Sequence, residues 1–345
     1  MIAMLLAAGI ALVVSLVGTP FLISWLRAHG IGQPILEELA EMHVKKAGLP
    51  TMGGVMIVTA AVVGYVVAHL RDGTIFTWGG MLTMGAIVGA GGVGLLDDWI
   101  KVRNARNLGL TKRAKMIGLL VVAVAYAWSV LVKADVSTNL SFTRVDSLDI
   151  DLGPVLWVVF AVLVFATMTN AVNFTDGLDG LAAGSATFAF SAYVVIAFWA
   201  FRHEAVYHIP QGLDLALVAA SMVGACTGFL WWNAAPARII MGDTGALAIG
   251  AGLAAMALVT NTHLLLPIIT TISVIQMLSV VLQIASFRLF HRRIFKMAPI
   301  HHHFEMLGWP ETTIIIRFWI LAGMSTAMAV AIFYADYLSI PGVID

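Results

Sequence analysis

Asn170-Ala-Val-Asn173-Phe-Thr-Asp176-Gly-Leu-Asp179-Gly-Leu-Ala-Ala-Gly184 joins two apolar runs, 154–169 and 180–200, each near the length that crosses a bilayer. A polar residue recurs at every third position. On a helix that spacing turns Asn170, Asn173, Asp176 and Asp179 toward roughly one face, while Gly177 and Gly180 let backbone or ligand approach closely. Carboxylates beside hydrocarbon are costly unless a cation, a substrate or water meets them. Two readings stand: a solvated loop between two spans, or a polar site at the membrane's edge.

The chain around this stretch is 345 residues long, 60% hydrophobic and 11% charged, with a mean hydropathy of +0.95. Those values describe an all-α integral membrane protein, since runs near twenty apolar residues are helical spans and a barrel would show ten-residue alternation. Ten spans follow, at about 2–26, 52–70, 79–96, 116–132, 154–169, 180–200, 213–232, 245–260, 264–287 and 314–337. The first lacks the basic start of a signal peptide and is followed by many more, so it reads as a transmembrane helix. No repeat, low-complexity tract or linker divides the chain, and residues 1–345 read as one polytopic domain. The zero net charge suggests no nucleic-acid partner. Cys226 sits in an apolar run and reads as packing.

With the N-terminus outside, fifteen of the nineteen basic residues fall in cytoplasmic loops, leaving Arg71, Lys133, Arg144 and Arg202 opposite. The positive-inside rule therefore places both termini outside the cytoplasm and every dense polar cluster on the cytoplasmic face. The longest outer loop, 133–153, alternates polar and apolar residues and predicts a small hairpin.

Five cytoplasmic segments carry chemistry. His43-Val-Lys45-Lys46 followed by Pro50-Thr51-Met-Gly-Gly54 joins ammonium groups to a glycine-bearing turn, which suits an anion, though such lysines also anchor to lipid headgroups. Asp97 and Asp98, about 100° apart on a helix, precede Lys101 and a basic run ending at Lys115. Paired aspartates with no cysteine nearby favour a hard cation such as Mg²⁺; helix-end capping is the plainer alternative. Asn233 precedes Met241-Gly-Asp243-Thr-Gly245, where Asp243 is either a further carboxylate ligand or an N-cap for the next span. His301, His302 and His303 are consecutive, so their side chains diverge and give no three-ligand zinc face; beside Arg293 and Lys296 they suit a phosphate better. With the Asn170–Asp179 stretch, these are the parts of a site for Mg²⁺-assisted phosphoryl transfer, where a soluble phosphorylated donor meets a lipid acceptor.

From about Lys45 to Arg317 these motifs occur in unbroken order and resemble the polyprenyl-phosphate N-acetylhexosamine-1-phosphate transferase superfamily. The segment Ala298-Pro-Ile-His-His-His-Phe-Glu305 resembles its phospho-N-acetylmuramoyl-pentapeptide transferase branch. The resemblance implies a ten-span homodimer in the bacterial cell (inner) membrane that transfers phospho-MurNAc-pentapeptide from its UDP carrier to undecaprenyl phosphate with Mg²⁺, giving lipid I and UMP. It implies that Asp243 binds Mg²⁺ with help from Asp97 and Asp98, and that Asp98 activates the lipid phosphate. Lys46, Thr51, Lys101 and Lys115 would hold phosphates; Asn170, Asn173, Asp176, Asp179 and Asn233 would shape the nucleotide-sugar pocket, with His301 and His302, catalytic in this reading, at its far wall and His303 binding substrate. The chain departs from the family pattern at several positions, among them Gln276 for an acidic residue and Ile240 for a phenylalanine that would stack on uracil. Two rivals stay on the page. A sister enzyme for UDP-GlcNAc would share the aspartates, and a cation- or proton-coupled transporter would need acids near span centres, which this chain avoids.

Overall fold

Every residue from Thr244 to Val259 is buried, and this continuously apolar helix, Gly242–Val259, is the axis around which the others pack. A computed structural model of the protein describes residues 1–32, 48–72, 75–104 and 109–341; Lys45, Lys46 and Arg106 lie outside the described residues. In chain order the helices are α1 (Ile2–Ala28), α2 (Gly54–Asp72), α3 (Trp78–Arg103), α4 (Lys112–Lys133), α5 (Gly153–Thr175), α6 (Leu181–Arg202), the short α7 (Glu204–Tyr207), α8 (Gly212–Asn233) and the central α9 (Gly242–Val259). After them come the short α10 (Leu266–Ile269), α11 (Thr271–Phe290), the short α12 (Ile300–Glu305) and α13 (Glu311–Leu338). Among the described residues ten of these are long and apolar enough to cross a membrane.

α9 packs directly against α3, α5 and α2, and small residues let it do so. A β-carbon on Gly54 would fall 1.9 Å from the Gly245 nitrogen, and one on Gly94 would fall 2.3 Å from the Asp243 carbonyl oxygen. α2 and α3 are thus clamped at the N-terminus of α9, where Asp243 sits. By contrast α11 buries only Ile272, Ser273, Gln276 and Ser279, all in its first half, and turns its remaining apolar side chains outward.

The predicted outer hairpin is present as a two-stranded antiparallel pair, β1 (Asn139–Leu140) and β2 (Ile150–Asp151), with Asn139 opposite Asp151. Arg144 Nε ties it to Asp336 at the end of α13 at 3.0 Å. Two predicted boundaries move. The span drawn to residue 96 continues as helix to Arg103, because Asp97 and Lys101 pair across one turn, at i and i+4, at 2.7 Å. The span drawn from residue 264 starts at Thr271, after the separate α10 with Pro267 in its first turn.

Candidate active site

Three carboxylates from two helices meet at the N-terminus of α9. Asp97, Asp98 and Asp243 offer ligand oxygens that all lie within 4.8 Å of one another. Asp97 and Asp98 are buried, and Asp243 keeps 13% of its side chain exposed. The Lys101 ammonium lies 2.7 Å from Asp97 Oδ2 and 2.6 Å from Asp243 Oδ2, and Lys115 Nζ lies 2.8 Å from the same Asp243 oxygen. Asn173 Nδ2 donates to Asp243 Oδ1 at 2.5 Å. Four helices, α3, α4, α5 and α9, therefore converge on one carboxylate.

The two members of the adjacent pair do different work. Asp97 Oδ1 accepts the Leu110 N–H at 2.8 Å, which folds the segment before α4 onto the cluster. Asp98 accepts from the Asp243 N–H at 3.2 Å, the Thr244 N–H at 2.9 Å and the Thr244 hydroxyl at 2.7 Å. Those are unsatisfied donors of a helix start, so Asp98 caps α9 from a neighbouring helix. The capping alternative drawn for Asp243 is thereby corrected: Asp243 sits in the first turn of α9 with its carboxylate turned to the lysines, and the cap comes from Asp98.

The Asn170–Asp179 stretch does not present four residues on one helix face. α5 ends at Thr175, Asp176 is its C-cap, and Gly180 at φ +77° turns the chain into α6. Asn170 is exposed and its amide donates to its own helix at Ala166, while Asn173 reaches the cluster. Asp179 Oδ2 accepts the Ala237 N–H at 2.9 Å, and Asn233 bridges the Gly180 N–H and the Ile239 carbonyl at 3.1 and 2.9 Å. Asp179 and Asn233 thus hold the 234–241 loop that delivers Asp243. Thr51 lies beside that loop, since Pro50 O accepts the Ile240 N–H at 2.8 Å and the Gly53 N–H donates to Ile240 O at 2.9 Å.

The rings of His301 and His302 lie against each other, centroids 4.1 Å apart, while His303 turns to the preceding loop. His301 is fully buried, with Nδ1 2.9 Å from Gln276 Oε1 and its ring against Gly177. His302 Nδ1 meets Glu305 Oε2 at 2.6 Å, and His303 Nδ1 accepts the Lys296 N–H at 3.0 Å. His301 is thereby set against Gly177 in the Asp176–Gly180 turn, and His303 pins the preceding loop. Sequence reasoning passed over Thr244, Leu110, and Glu311, whose Oε1 accepts the Asp179 N–H at 3.1 Å. Only Thr244, inside the Asp-Thr-Gly triplet, carried any local signal.

Three carboxylates against two ammonium groups leave one net negative charge among oxygen donors, a set that fits a hard divalent cation better than zinc. Buried acids, partly exposed lysines and ten membrane-length helices fit a membrane-embedded transferase that works on phosphates. A family model described as glycosyl transferase family 4 matches residues 78–261. The chain is 49% identical over 352 residues to the phospho-N-acetylmuramoyl-pentapeptide-transferase of Saccharopolyspora erythraea, covering 97% of this chain and 98% of that one. It is 48% identical over 349 residues to the same-named protein of Frankia casuarinae, with 97% and 98% covered, and 45% identical over 355 residues to that of Mycobacterium leprae, with 98% and 99% covered. The chain belongs to the phospho-N-acetylmuramoyl-pentapeptide-transferase family.

Proposed function

We propose that the protein transfers phospho-MurNAc-pentapeptide from UDP-MurNAc-pentapeptide to undecaprenyl phosphate in the bacterial cell membrane, forming lipid I and UMP for peptidoglycan synthesis. The observation that carries the chemistry is the shared hold of Lys101 and Lys115 on one Asp243 oxygen. An oxygen of the lipid phosphate attacks the sugar-bearing phosphorus of the donor, the bond from that phosphorus to the oxygen bridging to UMP breaks, and UMP leaves with the electron pair. The attacking phosphate is already ionised near neutral pH, so no strong base is needed.

Asp243, Asp97 and Asp98 would hold Mg²⁺, and Asp98 also sets the helix start that presents Asp243. When bound, Mg²⁺ neutralises charge gathering on the diphosphate. Lys101 and Lys115 are long enough to leave Asp243 for phosphate oxygens, and Lys46 and Thr51 belong to the same phosphate-holding group. Asn173 keeps the Asp243 carboxylate oriented. Asn170, Asp176, Asp179 and Asn233 shape the nucleotide-sugar pocket, the last two by fixing the 234–241 loop, and His301, His302 and His303 form its far side. The distribution of basic residues supports a cytoplasmic active site and extracytoplasmic termini. The homodimer implied by the resemblance belongs to the same proposal and is read by native mass spectrometry in detergent.

The test is Asp243→Ala in purified protein. Mg²⁺-dependent UMP release from UDP-MurNAc-pentapeptide with undecaprenyl phosphate should vanish, and retained turnover would remove Asp243 from the mechanism. Thin-layer detection of lipid-linked product with UDP-MurNAc-pentapeptide and UDP-GlcNAc side by side tests the donor. Product from UDP-GlcNAc alone would move the protein to the sister activity.

A further inference from the structure

The ends of α3, α4, α8 and α9 remote from the carboxylate cluster enclose a cavity of about 570 Å³ beside the 133–153 hairpin. α9 carries Asp243 in its first turn and is followed closely by Asn261, so about 27 Å of helix separates the two places. The walls of the cavity are fixed by the fold. Gln211 Oε1 accepts the Gly79 N–H at 2.9 Å, its Nε2 donates to the Ala134 carbonyl at 3.0 Å, and Asp214 holds Thr77, so the start of α3, the end of α4 and the start of α8 are tied together. Phe76 and Trp78, 38% and 51% exposed, give the space aromatic walls.

Three polar groups here are not neutralised by the protein. Lys133 and Asp135 both line the cavity, yet among the described residues neither forms an ion pair, with the other or elsewhere; the Lys133 ammonium lies 5.7 Å from the centre of the Trp78 ring. Asn261 also lines it, is 4% exposed, and has its Oδ1 buried without a hydrogen bond. A buried acceptor left unmet is costly, so Asn261 favours a ligand that brings an N–H or O–H. The pattern selects among ligands. A simple anion would meet Asp135 and a simple cation Lys133, whereas a ligand with an ammonium at one end and a phosphate at the other satisfies both. A primary ammonium suits Asn261 and a trimethylated one does not, because only the first has an N–H to donate. Trp78 adds cation–π attraction for it.

We propose that this cavity binds a phosphoethanolamine group, with the phosphate on Lys133 and the primary ammonium on Asp135 and Asn261. Phosphatidylethanolamine of the bilayer and free glycerophosphoethanolamine both carry that group. The full chain, stripped of co-purified lipid in detergent, is titrated separately with phosphatidylethanolamine, phosphatidylcholine and phosphatidylglycerol, and bound molecules are counted by native mass spectrometry. One phosphatidylethanolamine should bind, about tenfold more tightly than either of the others. Asp135→Asn, which an exposed position at φ +48° accommodates, should abolish that preference and leave phosphatidylcholine binding unchanged. Lys133→Gln should weaken phosphatidylethanolamine and phosphatidylcholine alike, by about fivefold. Phosphatidylethanolamine bound no more tightly than the other two, or a preference that survives Asp135→Asn, overturns the proposal. Excess glycerophosphoethanolamine separates the two sources: displacement of the lipid assigns the site to the headgroup in either molecule, and retention assigns it to the membrane lipid. Photoreactive phosphatidylethanolamine on the unaltered protein gives an independent reading: labelling within 76–78, 133–137 or 208–211 is expected, and labelling confined to other segments refutes the site.

Discussion

At one end of the bundle Asp214, at the start of α8, is buried against short donors; at the other, Asp243 at the start of α9 is held by two long ones besides the short amide of Asn173. Asp214 Oδ2 accepts the Thr77 N–H at 2.6 Å and the Thr77 hydroxyl at 2.7 Å, and its other oxygen lies 3.0 Å from His69 Nε2. His69 Nδ1 in turn lies 2.8 Å from the Tyr65 carbonyl, which can only accept, so Nδ1 carries a proton there. Thr77 and His69 hold Asp214 through backbone or short side chains fixed by their own helices. Asp243 is 13% exposed, and its two cations are tethered by four-carbon stems and are 28% and 22% exposed. A carboxylate that closes a fold takes partners that cannot leave, whereas one that serves a reaction takes partners that can turn to a substrate. Two acids at helix starts are thus told apart by the reach of what holds them.

The largest expected effect falls on the exchanging end. Asp243→Asn should lower Mg²⁺-dependent UMP release to below about a thousandth of the parent rate. Its thermal unfolding in detergent should move less than that of a variant at the fixed end. Equal activity and a collapsed melting temperature would reverse the assignment of roles. Next comes Asp214→Asn, which leaves a buried imidazole without its carboxylate. It should cost about 3–5 kcal/mol of stability, read by denaturation in mixed micelles, while turnover of the folded fraction stays within about twofold. A large fall in turnover with stability intact would place Asp214 in the chemistry.

The third effect is smaller and depends on pH. His263 is buried near the outer hairpin, where the Ser141 N–H donates to its Nδ1 at 3.3 Å and Phe160 meets it edge-on. Burial pushes its pKa down to about 4. The unfolded chain takes up a proton below about 6.5 while the folded chain does not, so stability falls as pH drops from there toward 4, by up to about 3 kcal/mol. Above that window the contribution is constant. Unfolding followed between pH 4 and 7 should show the slope, and His263→Gln should flatten it; an unchanged slope would pass the effect to another group.

The ten membrane-length helices and the 133–153 hairpin were legible because hydropathy and alternation report environment, and in a membrane that is most of the fold. The carboxylate cluster was legible as a set of residue types, since adjacent aspartates followed by Lys101 suit a hard cation. Its internal division of labour was not. Asp98 reads like its neighbour in sequence, and only the packing of Gly94 against Asp243 brings it to the start of α9, where it becomes a cap. The threefold spacing of Asn170 to Asp179 suggested one helix face, but it could not reveal that α5 ends at Thr175 and that Asp179 turns to the 237 backbone. Glycine-bearing turns decide such endings, and their geometry depends on the partner loop. Gln276 stood out in the sequence only as a departure from the family pattern, and its role, reaching His301 from a different helix, shows only in the fold.

The smallest expected effect tests how the exchanging end grips its nucleotide. Ile240 is half-buried on the loop held by Asp179 and Asn233, three residues before Asp243, with its backbone paired to Pro50 and Gly53. Those backbone bonds do not depend on the side chain, so an aromatic ring can be placed there without releasing the loop. If the uracil lies over this position, Ile240→Phe adds a stacking surface worth about 0.5–1.5 kcal/mol. KM for UDP-MurNAc-pentapeptide should then fall about two- to tenfold, with kcat within about twofold because the stacking is made equally before and during the reaction. A fall in kcat with KM unchanged would mean that the ring disturbs the approach of Asp243 instead, and would move the nucleotide away from this loop.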